Sequence, residues 1–215
     1  MNVPVVLTKG GRVDLSKHTP SLRRVRIGLG WEPNTTDTGK DYDLDVTAFG
    51  LKGGKCVDAA HMLFYNSVNR TKDGIKVVLD HRPYHEKEGH PCTPGLELIH
   101  SGDNCTGQGK GDDETIIGDA AKILALWDEI PIIITINEAK ERCQNFGQVP
   151  EIHAYVYDDE TGLVIAKFDI ADGFSSETAV HIGSLYRNSE GNLGFKTVGT
   201  GYNAGLDEFV KKYGL

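Results

Sequence analysis

Ile130-Pro131-Ile132-Ile133-Ile134-Thr135-Ile136 is a stretch of the sequence that is apolar at almost every position. Successive side chains of a strand point to opposite faces of the sheet, so a strand of this composition needs other protein on both sides. Pro131 cannot donate a backbone hydrogen bond to a neighbouring strand and therefore belongs near the beginning of this one. The stretch predicts a central strand of a sheet that is covered on each face.

Further apolar runs of strand length lie on both sides of this stretch and are separated by turn residues. They predict about a dozen strands, at 3–7, 22–29, 41–51, 61–66, 75–79, 96–100, 114–117, 130–137, 152–157, 163–170, 178–186 and 193–198. Glycine-containing turns at 52–55, 159–162 and 188–192 are typical of hairpins, because glycine and short polar residues adopt positive φ. Neighbouring strands are therefore expected to pair antiparallel.

Helix signals are few. Asp119 can cap a helix over 120–127, residues 138–144 predict a short turn of helix, and residues 205–213 predict a C-terminal helix. The fold class expected is all-β, an antiparallel β-sandwich of two sheets with a few short peripheral helices. No linker divides the chain, so one domain over 1–215 is predicted, with an irregular surface loop at 81–95.

Composition and charge exclude several classes of function. The 215 residues carry a formal net charge of −8 and no basic run, which argues against nucleic acid and against unaided binding to an anionic membrane. The first residues show no secretory leader, and no segment approaches the length of a membrane-spanning helix. We expect a cytoplasmic protein. Its four widely spaced cysteines, which form no C-x-x-C pair, are expected to be reduced.

Two short stretches concentrate oxygen ligands: Asp41-Tyr42-Asp43-Leu44-Asp45, and the glycine-rich run from Gly102 to Glu114. In an extended strand Asp41, Asp43 and Asp45 share one face. Three carboxylates so close repel one another and oppose folding unless a cation lies among them. The two stretches together predict a site for a hard divalent cation.

Calcium binds six to eight oxygens in flexible geometry, and glycines allow a loop to direct its carbonyl groups towards an ion. The spacing is not that of an EF-hand, because Val46 and Lys52 occupy the positions of its glycine and its last glutamate. The ligands must therefore converge from separate strands and loops, as they do at one end of a β-sandwich. We expect one or two calcium ions.

Other interpretations of the acidic stretches remain open at this point. They could be a solvated strand edge and a flexible turn. A phosphate cradle at 107–111 is disfavoured because three acids follow it directly. The main alternative is a Mg²⁺- or Mn²⁺-dependent enzyme that processes phosphoesters with the same acids. A calcium-dependent lipid-binding domain is a third reading, disfavoured by the few basic residues nearby.

The histidines and cysteines allow two further hypotheses. His81, His85, His90 and Cys92 carry the ligand types that zinc prefers, although a solvated loop explains their irregular spacing. Cys92 and Cys105 could react as thiolates with tellurium or selenium oxyanions, but a free cysteine is ordinarily an inert small apolar residue.

Five motifs in order carry a resemblance to a known family. They are Gly28-Leu29-Gly30-Trp31, the acidic stretch 41–45, the run 102–114, Asn145-Phe146-Gly147-Gln148-Val149 and Glu177-Thr178-Ala179. With these motifs the sequence resembles the TerD family of tellurium-resistance and stress proteins over nearly its whole length. The segment 81–95 looks like an insertion relative to shorter members.

The resemblance implies a cytoplasmic bacterial β-sandwich that binds calcium, takes part in tellurite resistance and stress responses, and has no established enzymatic activity. We therefore expect a non-catalytic module that acts through metal-ordered loops and docking of protein partners, such as other products of stress or tellurite-resistance operons. Carried onto this chain, the family's acidic motifs place the metal ligands among Asp41, Asp43, Asp45, Asp103, Asn104, Asp112, Asp113 and Glu114.

Overall fold

Two β-sheets form the body of the protein. The structure, a computed structural model, describes residues 3–36, 39–71, 89–170 and 173–215. In one sheet the strand order is β1-β12-β11-β3-β9-β8, and in the other it is β2-β14-β13-β10-β4-β7, with the short hairpin β5-β6 beside β10. The all-β, two-sheet architecture predicted from the sequence is confirmed.

The strands and helices have the following bounds. The strands are β1 Val5–Val6, β2 Arg12–Asp14, β3 Arg24–Gly30, β4 Leu44–Phe49, β5 Leu51–Lys52, β6 Lys55–Cys56, β7 Met62–Leu63, β8 Leu98–His100, β9 Glu114–Asp119, β10 Glu129–Ile136, β11 His153–Asp158, β12 Leu163–Asp169, β13 Ala179–Arg187 and β14 Leu193–Tyr202. The helices are α1 Leu15–His18, α2 Ala120–Leu126, α3 Ala139–Arg142 and α4 Leu206–Tyr213, with 3₁₀ turns at Ala59–His61 and Phe146–Gln148.

The position of β10 explains why its sequence is apolar on both faces. Ile132 and Ile134 lie in the main core between the sheets, whereas Ile133 belongs to a second apolar cluster with Phe209 and Tyr213 of α4. The C-terminal helix therefore covers the outer face of this sheet. Pro131 is the third residue of β10, and the pairing of β10 with β4 begins only at Ile132, so its missing N–H interrupts no ladder on that side.

The main core is built from alternate residues of facing strands. Val25, Ile27 and Leu29 of β3 lie in the same cluster as Leu44 and Val46 of β4, and all five are buried. Apolar area removed from water stabilises a fold by about 25 cal/mol per Å². This packing holds β4 of one sheet against β3 and its neighbour β9 of the other, and the acidic stretches lie at the ends of β4 and β9.

The helices follow the predicted signals. Asp119 caps α2 by accepting a hydrogen bond from the backbone N–H of Lys122 at 3.0 Å. The short turn predicted at 138–144 is α3, and the C-terminal helix is α4. Gly214 ends α4 in the left-handed conformation, with φ of 85°.

The structure departs from the sequence-based expectations in some places. β1 pairs in parallel with β12, which the hairpin turns could not indicate because these strands are distant in the chain. The short elements β2, β6 and α1 were not predicted. The strand predicted at 75–79 and the larger part of the loop predicted at 81–95 lie outside the described residues.

Candidate metal centre

Three carboxylates from separate elements converge at one end of the sandwich. Asp45 is the second residue of β4, Glu114 is the first residue of β9, and Asp103 lies in the loop that precedes β9. Ligand oxygens of these three residues all lie within 4.8 Å of one another. The proximity of residues 41–45 and 103–114 expected from the sequence is therefore confirmed. We call these three residues the acidic cluster.

Glu114 is the most buried member of the acidic cluster. Its side chain is fully inaccessible to solvent and points from one sheet to the other. The carboxylate accepts hydrogen bonds from the backbone N–H of Val46 at 2.8 Å and of Asn104 at 3.2 Å. Burial, and then the charge of Asp45, raises the pKa of Glu114 well above its usual value. An ionised Glu114 therefore favours a positive charge beside it.

His100 approaches Glu114 but does not supply that positive charge. The backbone N–H of Gly102 donates to Nδ1 of His100 at 2.9 Å, so Nδ1 is an acceptor and carries no proton. Nε2 lies 3.0 Å from the carbonyl oxygen of Val46 and 3.6 Å from Glu114. Complete burial lowers the pKa of His100 to about 4. The imidazole is neutral at physiological pH, with its proton on Nε2.

Asp45 is also a buried carboxyl group with negative charges close to it. Burial, followed by the charges of Asp43 and Asp103, raises the pKa of Asp45 to about 8, and the charge of Arg142 only partly offsets this. A group of acids whose mutual repulsion is relieved by protonation can also be relieved by a bound cation. Carboxylate oxygens are the ligands that hard divalent cations prefer.

Asp43 lies beside the acidic cluster and has partners of its own. Its carboxylate accepts hydrogen bonds from Arg142 at 3.2 Å and from the side-chain amide of Asn137 at 2.9 Å. Asp43 also forms a second close group with Asp103 and Cys105. Asp103 is thus common to both groups, which brings Asp43 to the edge of the candidate centre.

Cys105 is exposed but is not a ready thiolate. Desolvation by the surrounding loop, a hydrogen bond to Asp103 and the charges of the neighbouring acids raise the pKa of the Cys105 thiol to about 12. Cys92 is buried, and burial raises the pKa of its thiol too. Both environments oppose the thiolate form on which the hypothesis of reaction with oxyanions depends.

Asn104 and Asp113 organise the loop between Gly102 and Glu114. Oδ1 of Asn104 accepts from the backbone N–H groups of Thr106 and Gly107, and its Nδ2 donates to Asp113 at 2.7 Å. The side-chain oxygen of Asn104 and one carboxylate oxygen of Asp113 are therefore engaged within the loop. The loop has more internal support than a glycine-rich sequence suggests.

Trp31 connects the two acidic stretches. Its indole N–H donates to the carbonyl oxygen of Tyr42 at 3.0 Å, and its backbone N–H donates to Asp113 at 3.0 Å. Gly107, with φ of 65°, lies so close that a Cβ atom would come within 2.4 Å of the indole nitrogen. The buried tryptophan therefore fixes the distance between the stretches from which the acidic cluster is built.

Asp112 and Asp41 are not brought into the acidic cluster. Asp112 accepts a hydrogen bond from the hydroxyl of Tyr157 at 2.9 Å and pairs with Arg26 at 3.3 Å, in the space that the missing side chain of Gly28 leaves. Asp41 is exposed, and its backbone carbonyl accepts from Arg142 and from Gln144.

Sequence reasoning missed the residues that support the centre from a third segment. Asn137, Arg142 and Gln144 follow β10 and contact residues 40–43. No spacing in the sequence relates them to the acidic stretches, because their proximity arises from the pairing of β10 with β4.

The zinc hypothesis can be followed only in part, because His81 and His85 lie outside the described residues. Within the portion of the chain that the structure describes, the groups of three or more close metal-binding side chains include neither His90 nor Cys92. Burial also lowers the pKa of His90.

Comparisons with known proteins define the family. The family model of the TerD domain matches residues 3–213. The chain belongs to the TerD family. It is 37% identical to general stress protein 16U of Bacillus subtilis over 98% of this chain and 97% of that protein. It is 36% identical to tellurium resistance protein TerD of Serratia marcescens, again over 98% and 97% of the two chains.

A solved structure shares the TerD fold. A homologue of telluride resistance protein (TerD) from Streptomyces coelicolor A3(2) superimposes with a TM-score of 0.64 over 88% of this chain and 95% of that one, at 17% identity. The TerD family bears names from tellurium resistance and stress response and is not a known enzyme class. Among the described residues, no helix is long and apolar enough to span a membrane.

Proposed function

We propose that this TerD-family protein is a non-catalytic, calcium-binding stress-response module that acts in the cytoplasm. The observation that carries the proposal is the convergence of Asp45, Asp103 and Glu114 within 4.8 Å beside a neutral His100. Two of these carboxylates are buried, and an unbalanced buried charge is costly unless a cation accompanies it.

The proposed ligands are fewer than the eight residues expected from the sequence. Asp45, Asp103 and Glu114 form the first ion site, and Asp43 would complete a second site with Asp103 if two ions bind. Asn104 and Asp113 hold the loop in place, Asp112 is paired with Arg26, and Asp41 supports the centre through its backbone.

The ion would act by ordering the surface around it. Cancelling the repulsion among the acids would fix the loop between Gly102 and Glu114, much of which is exposed. A protein partner, such as another product of a stress or tellurite-resistance operon, would then dock on the ordered loop. Before the ion binds, the same surface would be more negative and more mobile, which makes docking conditional on calcium.

Calorimetric titration of the chelated protein with calcium and with magnesium tests the proposal. Calcium at a hundredfold excess over its dissociation constant should add about 2.7 kcal/mol of stability, or about 5 to 11 °C in melting temperature. Magnesium should add less, because it gives up its water reluctantly to a crowded site. A chelated protein that shows no heat of binding and an unchanged melting curve with calcium would rule the proposal out.

A further inference from the structure

A sulfur atom lies among the carboxylates at the exposed edge of the candidate centre. Cys105 forms a close group with Asp43 and Asp103, in which one ligand atom from each residue lies within 4.8 Å of the other two. We call these three residues the mixed cluster. It shares Asp103 with the acidic cluster, but it offers two oxygens and one sulfur where the acidic cluster offers three oxygens.

The spacing of the mixed cluster suits a tetrahedral ion. Zinc binds carboxylate oxygen at about 2.0 to 2.2 Å and thiolate sulfur at about 2.3 Å, so two of its ligand atoms are about 3.4 to 3.6 Å apart. Atoms within 4.8 Å of one another reach this spacing by shifts of about 1 Å. Asp103 and Cys105 are exposed, so they can make these shifts and leave room for water as a fourth ligand.

Asp43 is held in the way that metal-binding carboxylates commonly are. It is only 3% exposed, and both Arg142 and Asn137 donate to its Oδ2, at 3.2 Å and 2.9 Å. Outer hydrogen bonds of this kind orient a carboxylate towards an ion, and its second oxygen, Oδ1, can be the ligand. The buried member of the mixed cluster therefore has a fixed position, which its two exposed partners can approach.

The sulfur determines which ions the mixed cluster prefers. Thiolate is a soft ligand that selects ions such as zinc, whereas calcium and magnesium take oxygen ligands. The thiol of Cys105 is hydrogen bonded to Asp103, and an ion between them would take the place of the shared proton. Binding replaces the S–H bond with a sulfur–metal bond and releases one proton to water. Because the ion itself displaces the proton, Cys105 need not be a thiolate beforehand.

We infer that the mixed cluster of Asp43, Asp103 and Cys105 binds a thiophilic divalent cation of the zinc class. The inference goes beyond the proposed function and does not depend on it, because Asp45 and Glu114 take no part. In a chain that holds both ions, calcium uses the acidic cluster, and the zinc-class ion takes the position that a second calcium ion would otherwise take. The chain then binds two chemically different cations at adjacent sites that share Asp103.

Titrations of the reduced, calcium-free full chain with cadmium and with zinc test the inference. Cadmium is the spectroscopic probe, because its bond to a thiolate gives an ultraviolet charge-transfer band that carboxylate ligands do not give. The wild-type chain should show this band, saturating at a single equivalent of cadmium, and zinc should remove it by competition. Magnesium at the same concentration should leave the band unchanged, because it does not bind sulfur.

A matched pair of cysteine variants locates the ion. Cys105 and Cys143 are both exposed, but Cys143 belongs to no close group of metal-binding side chains among the described residues. Cys105→Ser should remove the band and lower zinc affinity at least about 100-fold, because the thiolate ligand is lost. Cys143→Ser should keep the band and change zinc affinity by less than about twofold. Calcium affinity should stay within about threefold in both variants, since the acidic cluster is intact.

A pair of aspartate variants separates ligation from the general attraction of negative charge. Asp41 and Asp43 lie in the same acidic stretch, but within the described part of the chain only Asp43 belongs to the mixed cluster. Asp43→Asn should lower zinc affinity at least about tenfold. Asp41→Asn removes the same charge and should lower it by less than about threefold. Equal losses in the two variants would show that zinc is attracted to the acidic end without being bound by Asp43.

The outcomes separate this inference from the proposed function. A wild-type chain without the cadmium band, or a band and a zinc affinity that survive in Cys105→Ser, overturns the inference, because zinc is then held only adventitiously by carboxylates. If calcium binds and cadmium gives no band, the inference fails and the proposed function stands. If cadmium gives a band that Cys105→Ser removes and calcium does not bind, the proposed function fails and this inference stands.

Discussion

Asp112 and Glu114 are two residues apart in the chain, yet the structure gives their carboxylates opposite surroundings. Asp112 is held between the guanidinium of Arg26 and the hydroxyl of Tyr157, above Gly28. Glu114 enters the space between the sheets, where it meets Asp45 and Asp103. Burial raises the pKa of both, but at Asp112 the hydrogen bond from Tyr157 and the charge of Arg26 oppose the rise.

The difference teaches that acidic residues in one motif need not act together. Around Asp112 the protein supplies its own counter-charge, so that carboxylate stabilises the sheet that contains β3. Around the acidic cluster the neutral His100 leaves the charge uncompensated. We interpret the first arrangement as structural and the second as prepared for a cation.

The largest expected effect is on calcium affinity in a matched pair of charge-removing variants. Asp45→Asn should weaken calcium binding at least about 100-fold, because affinity depends on the number of charged ligands. Asp112→Asn should change it by less than about threefold, since its carboxylate is engaged by Arg26. Calorimetry on both chelated variants measures the difference. If both variants lost calcium affinity equally, Asp112 would contribute to the ion site as much as Asp45 does.

The pH dependence of calcium binding should follow Asp45. Because its pKa is raised from 3.8 to about 8 in the folded protein, protons compete with calcium over this range. Calcium affinity should fall about tenfold for each unit of pH below about 8 if one proton is displaced. Titration calorimetry in a series of buffers measures this, and Asp45→Asn should remove the part of the slope that is due to Asp45 and leave the part due to Glu114, whose pKa is also raised.

The raised pKa of Asp45 also determines how its contribution to stability changes with pH when no metal is bound. A carboxyl group whose folded pKa is raised contributes stability below its unfolded pKa, and that contribution is lost as pH rises through the folded pKa. Relative to Asp45→Asn, the chelated protein should therefore lose stability between about pH 4 and about pH 8. A difference in melting temperature between these two proteins that stays constant over this window in chelator would contradict the electrostatic account of the acidic cluster.

In chelator, the free energy of unfolding should change in different directions when Asp112 and when Asp45 is replaced. Asp112→Ala should lower the free energy of unfolding by about 1 to 3 kcal/mol, because Tyr157 loses its acceptor and Arg26 loses a counter-charge. Asp45→Asn should leave this free energy unchanged or raise it, since a repulsive charge is removed. Denaturant unfolding monitored by fluorescence of the buried Trp31 and Trp127 measures both.

The smallest expected effect concerns the thiol at the edge of the acidic cluster. Cys105 should be alkylated at least about tenfold more slowly than a free exposed thiol at the same pH, because its pKa is raised to about 12. Calcium should increase this rate by reducing the negative charge around it. The Cys143→Ser variant isolates the reaction of Cys105 among the exposed cysteines, and an unchanged rate with calcium would indicate that no ion binds nearby.

Much of the fold could be predicted from the sequence because strands and turns produce recognisable local patterns of apolar and turn-forming residues. The apolar run 130–136 predicted the central strand, and the hairpin turns at 52–55, 159–162 and 188–192 join β5 to β6, β11 to β12 and β13 to β14. Short edge elements such as β2 and α1 escaped prediction, since their few apolar residues form no period. The parallel pairing of β1 with β12 is a long-range contact that no local pattern encodes.

The sequence by itself determined which residues could supply oxygen ligands, because carboxylates and glycines are recognisable wherever they stand. It also determined the family and the two-sheet class, through motif order and alternation. Only the tertiary structure decided that Asp45, Asp103 and Glu114 meet, while Asp112 turns to Arg26. The physical reason is that the surroundings of a carboxylate are set by strand pairing and sheet packing, which bring distant residues such as His100 and Val46 against Glu114.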